Sequence, residues 1–381
     1  MSEALPPIAV FASFSGTGGV EGMLVNLMRG FVEAGRDVNL LLVRADSPHL
    51  DRLPAAVRRT ELGGGHTLLA APALARWLRK HRPTALLAAK DRAGRTAVLA
   101  RMLAGTDTRL VLRLGTNLST AMAGHSALAR QLRYLPIRLL YPRLDHIVAV
   151  SEGVAADTAA ISGVPTERIG VIRNPVVTPE LASLAAAPCP HPWLAAPDGP
   201  PVIIGAGRLQ RQKDFPTLLC AFAALRRERP CRLLILGEGG GRVGLETLGR
   251  ELGLAIGSNG AVDLPGYQSN IHAFLSRAAL FVLSSAWEGS PNVLTEALAL
   301  GTPVVSTDCP SGPREILQDG RYGPLVPVGD AVALSLAMAE TLDAPLPPET
   351  LKEAVAEYTQ AASAARYLAV LDGSMPVASP A

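Results

Sequence analysis

Two carboxylates eight positions apart, Glu288 and Glu296, sit in a segment that reads Ser284-Ser285-Ala286-Trp287-Glu288-Gly289-Ser290-Pro291-Asn292-Val293-Leu294-Thr295-Glu296-Ala297-Leu298. Pro291 predicts a helix start, because a proline in the first turn gives up an N–H that has no intrahelical partner and brings a φ that is already helical. The N–H groups of Asn292 and Val293 then point outward and make an anion site. Carboxylates on both sides of such a site do not suit phosphate alone, since like charges repel. They suit a ligand that carries phosphates and hydroxyls together, as a nucleotide-sugar does, because a carboxylate can accept from two vicinal hydroxyls.

A second set of groups lies earlier. Arg208 follows Gly207 at the end of an apolar run, and Lys213 lies five residues further on. Two cations on a loop held by a strand end can flank a diphosphate and neutralise a leaving group without a metal. An isolated lysine is ordinarily a solvated surface charge; within this constellation the binding reading is preferred. Gly18 and Gly19 allow close backbone approach to a ligand, with a mere tight turn as the plainer reading.

These groups need rigid elements beneath them. Apolar runs at Ile8–Phe14, Val38–Val43, Thr84–Ala89, Arg109–Leu114 and Ile147–Val150 alternate with helical patterns at Val20–Glu33, Leu68–Lys80 and Arg95–Leu103. The alternation resumes with strands at Val202–Ala206, Arg232–Leu236, Val262–Leu264, Leu280–Leu283 and Pro303–Ser306, and helices at Phe215–Arg227, Asn270–Arg277, Pro291–Leu300 and Glu349–Leu371. Strand and helix in alternation give a parallel sheet, whose ligands bind beyond the carboxyl ends of the strands. The expected fold is α/β, two doubly wound Rossmann-like domains facing a cleft. A proline-rich stretch after Asn174-Pro175 reads as a linker over 179–200, between domains at 1–178 and 201–354.

Length and composition agree with this. A chain of 381 residues exceeds what one core usually serves, and 48% hydrophobic with 18% charged residues describes a folded globular protein. No apolar run of about 18 residues and no basic-then-apolar N-terminus is evident, so neither a membrane span nor a signal peptide is expected and the cytoplasm is the expected location. Cys189, Cys220, Cys231 and Cys309 lack metal-binding or disulfide spacing and read as ordinary thiols. The net charge of +3 conceals an asymmetry: 22 Lys and Arg against 13 Asp and Glu through Thr178, and 14 against 20 after it. Arg130, Arg133, Arg138 and Arg143 interleave with leucines and tyrosines, a pattern that fits an anionic membrane surface or, equally, a solvated helix face on a core.

Six segments together resemble the large retaining glycosyltransferase family four, with its GT-B architecture. They are Gly18-Gly19-Val20-Glu21, Val150–Val154, Val171–Val176, Gly207-Arg208-Leu209 with Gln212-Lys213-Asp214, Glu288–Glu296, and Asp308–Leu317. The resemblance spans almost the whole chain. It implies that Arg208 and Lys213 bind the donor diphosphate, that Glu288 meets hydroxyls of the transferred sugar, and that Glu296 meets the ribose. It further implies donor contacts at Gly18, Gly19, Gly207, Ser290, Asn292, Val293 and Leu294, with Tyr267 and Gln268 in the segment whose main chain reads the base. The first domain would bind the acceptor, and a C-terminal helix at about 355–372 would return to it. The implied reaction is a metal-independent, retaining transfer of a hexose or N-acetylhexosamine from a nucleotide-sugar, with UDP favoured, to a glycan or lipid-linked acceptor in surface polysaccharide synthesis. No cofactor and no nucleic acid enter; peripheral contact with the inner membrane would suit such an acceptor.

The departures are specific. Relatives carry a histidine at the end of a first-domain strand where this chain has Gly115, so Lys90, Asp91 or His125 are the candidates to replace it, with a buried ion pair at Lys90-Asp91 as the plainer alternative. Gly239-x-Gly241-x-x-Gly244 matches a dinucleotide fingerprint, but it lies deep in the second half with no well-placed acid, and a dehydrogenase is discounted. An epimerase, a phosphorylase or a non-catalytic nucleotide-sugar binder remain the alternatives. The tail from Ser374 to Ala381 is expected to be disordered.

Overall fold

The computed structural model describes residues 7–16, 18–63, 65–195 and 199–374. The tail beyond Ser374, Thr17 of the first glycine loop, and Gly64 lie outside them. Contacts divide the chain into a first unit, Met1–Val176 with Glu357–Ala381, and a second, Val177–Ala356.

The first unit holds a seven-stranded sheet of β1 (Ile8–Phe14), β2 (Val38–Ala45), β3 (Arg58–Glu61), β4 (Ala85–Ala89), β5 (Arg109–Leu114), β6 (His146–Ala149) and β7 (Ile169–Val171), in the order β3-β2-β1-β4-β5-β6-β7. Every pairing is parallel. Such a sheet is covered on both faces, so its strands read as continuous apolar runs. Ala9 and Phe11 belong to one core, and Ile8, Val10 and Phe14 to the other. Between β1 and β4 the chain order reverses, which is where ligands of such sheets bind.

The second unit repeats the plan with β8 (Val202–Ala206), β9 (Arg232–Leu236), β10 (Val262–Gly266), β11 (Leu280–Leu283), β12 (Val304–Thr307) and β13 (Leu325–Val326), ordered β10-β9-β8-β11-β12-β13. Its reversal lies between β8 and β11.

Three expectations need correction. The stretch 179–200 is not a free linker: Leu181, Trp193 and Leu194 are buried within the second unit. Trp193 Nε1 donates to the Ser258 carbonyl at 2.8 Å, and His191 Nε2 lies 3.0 Å from Asp263 Oδ2. The prolines there break helices into short pieces without freeing the chain. The helix expected over Asn270–Arg277 contracts to His272–Leu275. The last helix is broken: Pro348–Glu353, a 3-10 turn at Ala356–Tyr358, and then Gln360–Leu371, capped by Thr359 Oγ1 accepting from the Ala362 N–H at 3.2 Å.

That final helix does return to the first unit. Arg36, itself buried, grips Asp372 with two bonds of 2.7 and 2.9 Å. Gly30 lets the Gly19–Glu33 helix approach it closely, since a Cβ there would stand 2.6 Å from Ala364 Cβ.

Candidate functional site

In the second unit the loops after β8 and β11 are laced together. Ser284 Oγ donates to the Lys213 carbonyl at 2.8 Å, and the Ala286 N–H donates to the Gln212 carbonyl at 2.8 Å. Gly207, with φ of +149°, has to be glycine: a Cβ there would stand 2.6 Å from Lys213 Cε, so its absence lets the lysine fold across the strand end. Asp214 follows in the left-handed region at φ +44° and ends the 3-10 turn Arg211–Lys213.

Lys213 Nζ then lies 2.6 Å from Glu288 Oε1. Ser285 Oγ donates to the same oxygen at 2.8 Å, and Gln212 Nε2 reaches Oε2 at 3.4 Å and the Trp287 carbonyl at 3.0 Å. An ionised carboxylate has about four lone-pair sites. Three protein donors already use Glu288, which is 7% exposed. It can therefore take about one hydroxyl, not a vicinal pair, unless a protein donor yields. Arg208 is exposed and has no ion pair among the described residues. Arg211, in the same loop, is likewise exposed and without an ion pair among the described residues.

The helix after the loop spans Asn292–Ala299. Pro291 stands one place outside it, in the cap position with ψ of 100°, not in its first turn as expected. The Leu294 N–H is already given to the Pro291 carbonyl at 3.1 Å and its side chain is fully buried. Leu294 thus leaves the set of contact residues and belongs to the core. Ser290, Asn292 and Val293 remain half-buried at the helix mouth. Glu296 lies on the helix, partly exposed, with His272 Nε2 3.9 Å away. Gly312 of the Asp308–Leu317 segment, at φ +89°, packs so tightly that a Cβ would lie 2.8 Å from Pro291 Cδ and 2.9 Å from the Gly289 carbonyl. That segment therefore buttresses the loop.

Tyr267 is exposed next to Gly266, whose φ is +85°, and Gln268 Nε2 donates to the Pro265 carbonyl at 3.0 Å. The glycines of the discounted fingerprint have a packing reason. Cβ atoms on Gly239 and Gly241 would meet the Leu209 carbonyl at 2.6 and 2.9 Å, and one on Gly237 would lie 2.0 Å from the Gly207 carbonyl. The Cys309 thiol, pushed up to about 12 by burial and by nearby Glu288, is inert.

Sequence reasoning missed the supports Gln212, Ser284, Ser285 and His272. Gln212 stood inside a quoted motif, but nothing in its type announced a role.

In the first unit, Gly18 caps the 15-residue helix Gly19–Glu33 at φ −74°, and a Cβ there would meet nothing within 4 Å. The turn therefore does not demand glycine. Of the candidates to replace the histidine, Asp91 falls away. Asp91 is caged: Arg95 donates to both its oxygens at 3.0 and 2.8 Å, Arg133 at 2.7 Å and Tyr141 Oη at 2.9 Å. Burial pushes its carboxyl up, but Arg133 and Arg95 outweigh this and hold it below the usual range. It is the ion pair of the plainer reading, made with arginines and not with Lys90. His125 is exposed in a turn before the helix Ala127–Leu140, not within a helix. Lys90 stays at the sheet edge.

The Ala127–Leu140 helix buries Ile137 and turns Leu128, Leu132, Leu135 and Leu139 outward, each 52–69% exposed. Among the described residues no helix is long and apolar enough to cross a membrane, and no group of three His, Cys, Asp or Glu is placed to hold a metal ion.

With this geometry in hand, comparisons with known proteins agree on both units. Residues 17–179 match the model of Glycosyltransferase Family 4, and residues 191–361 that of Glycosyl transferases group 1. The chain is 32% identical over 232 residues to the N-acetylgalactosamine-N,N'-diacetylbacillosaminyl-diphospho-undecaprenol 4-alpha-N-acetylgalactosaminyltransferase of Campylobacter jejuni, covering 61% of this chain and 60% of that one. It is 34% identical over 206 residues to the lipopolysaccharide core biosynthesis glycosyltransferase LpsE of Rhizobium meliloti, covering 54% of this chain and 56% of that one. These matches thus span less than two thirds of either relative's length. Among solved structures, Anabaena Alr3699/HepE in complex with UDP and glucose superposes with a TM-score of 0.77 at 16% identity, covering 97% of this chain and all of that one. The lipopolysaccharide outer core galactosyltransferase WaaB does so with a TM-score of 0.70 at 19% identity, covering 97% of this chain. These likenesses give the fold, GT-B.

Proposed function

The chain belongs to glycosyltransferase family 4, and from that membership we propose that it transfers a hexose or N-acetylhexosamine, with retention, from a UDP-sugar to a glycan or lipid-linked acceptor of a cell-surface polysaccharide. The observation that carries this reading is the laced loop pair of the second unit, where Lys213 is fixed on Glu288 and Arg208, at the same strand end, has no ion pair among the described residues. The names of the relatives from C. jejuni and R. meliloti favour a lipid-linked or lipopolysaccharide acceptor.

The chemistry follows from charge. As the sugar–phosphate bond breaks, negative charge grows on the departing diphosphate, and Arg208 and Lys213 are the cations that would meet it. Preorganised charge of this kind needs no metal. The departing phosphate oxygen takes the acceptor's proton on the same face, so retention needs no strong protein base. Glu288, with about one lone pair to offer, orients a single hydroxyl of the sugar. Glu296 takes the ribose hydroxyls.

The Ala127–Leu140 face supports peripheral contact with an anionic bilayer: four outward leucines on one helix, with Arg130, Arg138 and Arg143 nearby in sequence. The expected site of action is the inner face of the plasma membrane.

The test is release of UDP from purified protein with candidate UDP-sugars, with and without membrane-extracted glycolipid acceptors, in EDTA. Acceptor-dependent release supports the transferase. Acceptor-independent conversion of the donor points to an epimerase or hydrolase, and binding without turnover to a non-catalytic binder.

A further inference from the structure

Glu288 does not offer its two oxygens equally. Oε1 takes Lys213 Nζ at 2.6 Å and Ser285 Oγ at 2.8 Å. Two donors fill the two lone pairs of that oxygen. Oε2 takes only Gln212 Nε2, at a long 3.4 Å. The one acceptor direction that Glu288 keeps for a ligand is therefore on Oε2, the oxygen beside Gln212.

Gln212 is itself held at two points. Its main-chain carbonyl accepts from the Ala286 N–H at 2.8 Å, and its Nε2 donates to the Trp287 carbonyl at 3.0 Å. Both partners of that nitrogen, a carbonyl oxygen and a carboxylate oxygen, can only accept, which fixes the end of the amide that faces them. The amide oxygen points the other way. No group among the described residues donates to it, and on this half-buried side chain it lies open to solvent. Two open acceptors, Glu288 Oε2 and Gln212 Oε1, thus stand one amide group apart. A hexose carries hydroxyls on adjacent ring carbons, each with one proton to give, and this pair of acceptors answers two of them where Glu288 alone answers one.

We propose that Gln212 selects the transferred sugar: its amide oxygen accepts from the hydroxyl adjacent to the one that Glu288 takes. This contact rests on the reading that Glu288 meets the transferred sugar, and it narrows the donor to sugars with two neighbouring free hydroxyls. A deoxy position at either place leaves one acceptor unanswered, which costs binding.

The experiment is calorimetric titration of the full chain with UDP, with the UDP-hexose that it binds best, and with the monodeoxy forms of that sugar. Gln212→Met should leave UDP affinity unchanged and weaken the UDP-hexose about five- to tenfold, the worth of one neutral hydrogen bond. A contact already removed from the protein costs nothing more when the ligand lacks its half of it. Gln212→Met should therefore bind one monodeoxy donor as well as the parent chain does. Glu288→Gln should do so for the donor that is deoxy at the adjacent carbon, because its amide oxygen stays with Lys213 and Ser285 and its nitrogen replaces Oε2. If both variants are indifferent to the same missing hydroxyl, Gln212 only braces Glu288 and the proposal falls. It falls equally if Gln212→Met binds the intact hexose like the parent, or weakens UDP as much as the hexose. A loss of hexose affinity confined to Glu288→Gln removes Gln212 and leaves the reading of Glu288 intact, whereas no loss in either variant overturns that reading as well. Gln212→Asn, which keeps the amide and shortens its reach, carries the same test if Gln212→Met does not fold.

Discussion

Lys213 Nζ stands 2.6 Å from Glu288 Oε1 across the ends of β8 and β11, the two strands between which the order of the second sheet reverses. The pair fixes a cation and a carboxylate against each other where both are largely shielded from solvent. It also makes the two residues interdependent in a way Arg208 is not.

Lys213→Ala therefore does two things at once. It removes a charge from the departing diphosphate, costing roughly two orders of magnitude in turnover, and it strands a buried carboxylate, costing about 3–5 kcal/mol of stability. Arg208→Ala, at an exposed residue with no ion pair among the described residues, should cost similar turnover and leave the unfolding midpoint in urea unchanged. Equal stability losses in both variants would mean that the pair is not buried as described.

Two glycines separate structural from functional need. Gly237→Ala puts a Cβ about 2.0 Å from the Gly207 carbonyl and should destabilise the fold by about 1–3 kcal/mol. Gly18→Ala meets nothing within 4 Å. It should melt like the parent and yet turn over more slowly, because the added methyl stands where a ligand is expected to approach. Normal turnover by Gly18→Ala would return that glycine to being a simple turn.

Much of this was legible in the sequence because chemistry-bearing residues sit at strand ends, and buried parallel strands announce themselves as apolar runs. Ile8–Phe14, Arg109–Leu114 and Arg232–Leu236 have the bounds their composition predicts. The strand β3 did not announce itself: Arg58-Arg59-Thr60-Glu61 is a mostly exposed edge strand with no apolar period. The Pro-rich 179–200 read as a linker because prolines break helices, yet Trp193 and His191 anchor it by contacts no local pattern encodes. Asp91 looked available because its partners Arg133 and Tyr141 lie 42 and 50 residues away. Gly115 looked like a loss, because only the structure shows Arg113 folded against it.

Acid should weaken the fold through His146. Burial, with Arg109 and Arg168 nearby, pushes its imidazole down to about 4. The unfolded chain takes up the proton near pH 6.5, where an ordinary histidine titrates, while the folded chain refuses it until about pH 4. The folded state thus keeps its stability above pH 6.5 and loses it progressively as pH falls toward 4. Urea midpoints measured across that window should slope downward, and His146→Gln should flatten the slope. An unaltered slope would place the acid sensitivity elsewhere.

The Ala127–Leu140 face should bind vesicles containing phosphatidylglycerol, more weakly as salt rises because its arginines are screened. Leu128→Glu with Leu132→Glu should cut binding roughly tenfold or more, without loss of stability, since both leucines are more than half exposed. Binding that is insensitive to both salt and these substitutions would remove the face from membrane contact.

The central claim is that the loops after β8 and β11 hold a nucleotide-sugar by its diphosphate without a metal. Its most direct test is the melting temperature of the full chain with UDP, GDP, ADP and their common sugar conjugates, each with and without EDTA, because a ligand that binds only the folded state must raise it. Stabilisation by a UDP-sugar that survives EDTA and is lost in Arg208→Ala is the predicted result. No response to any nucleotide, or a response abolished by EDTA, would contradict it.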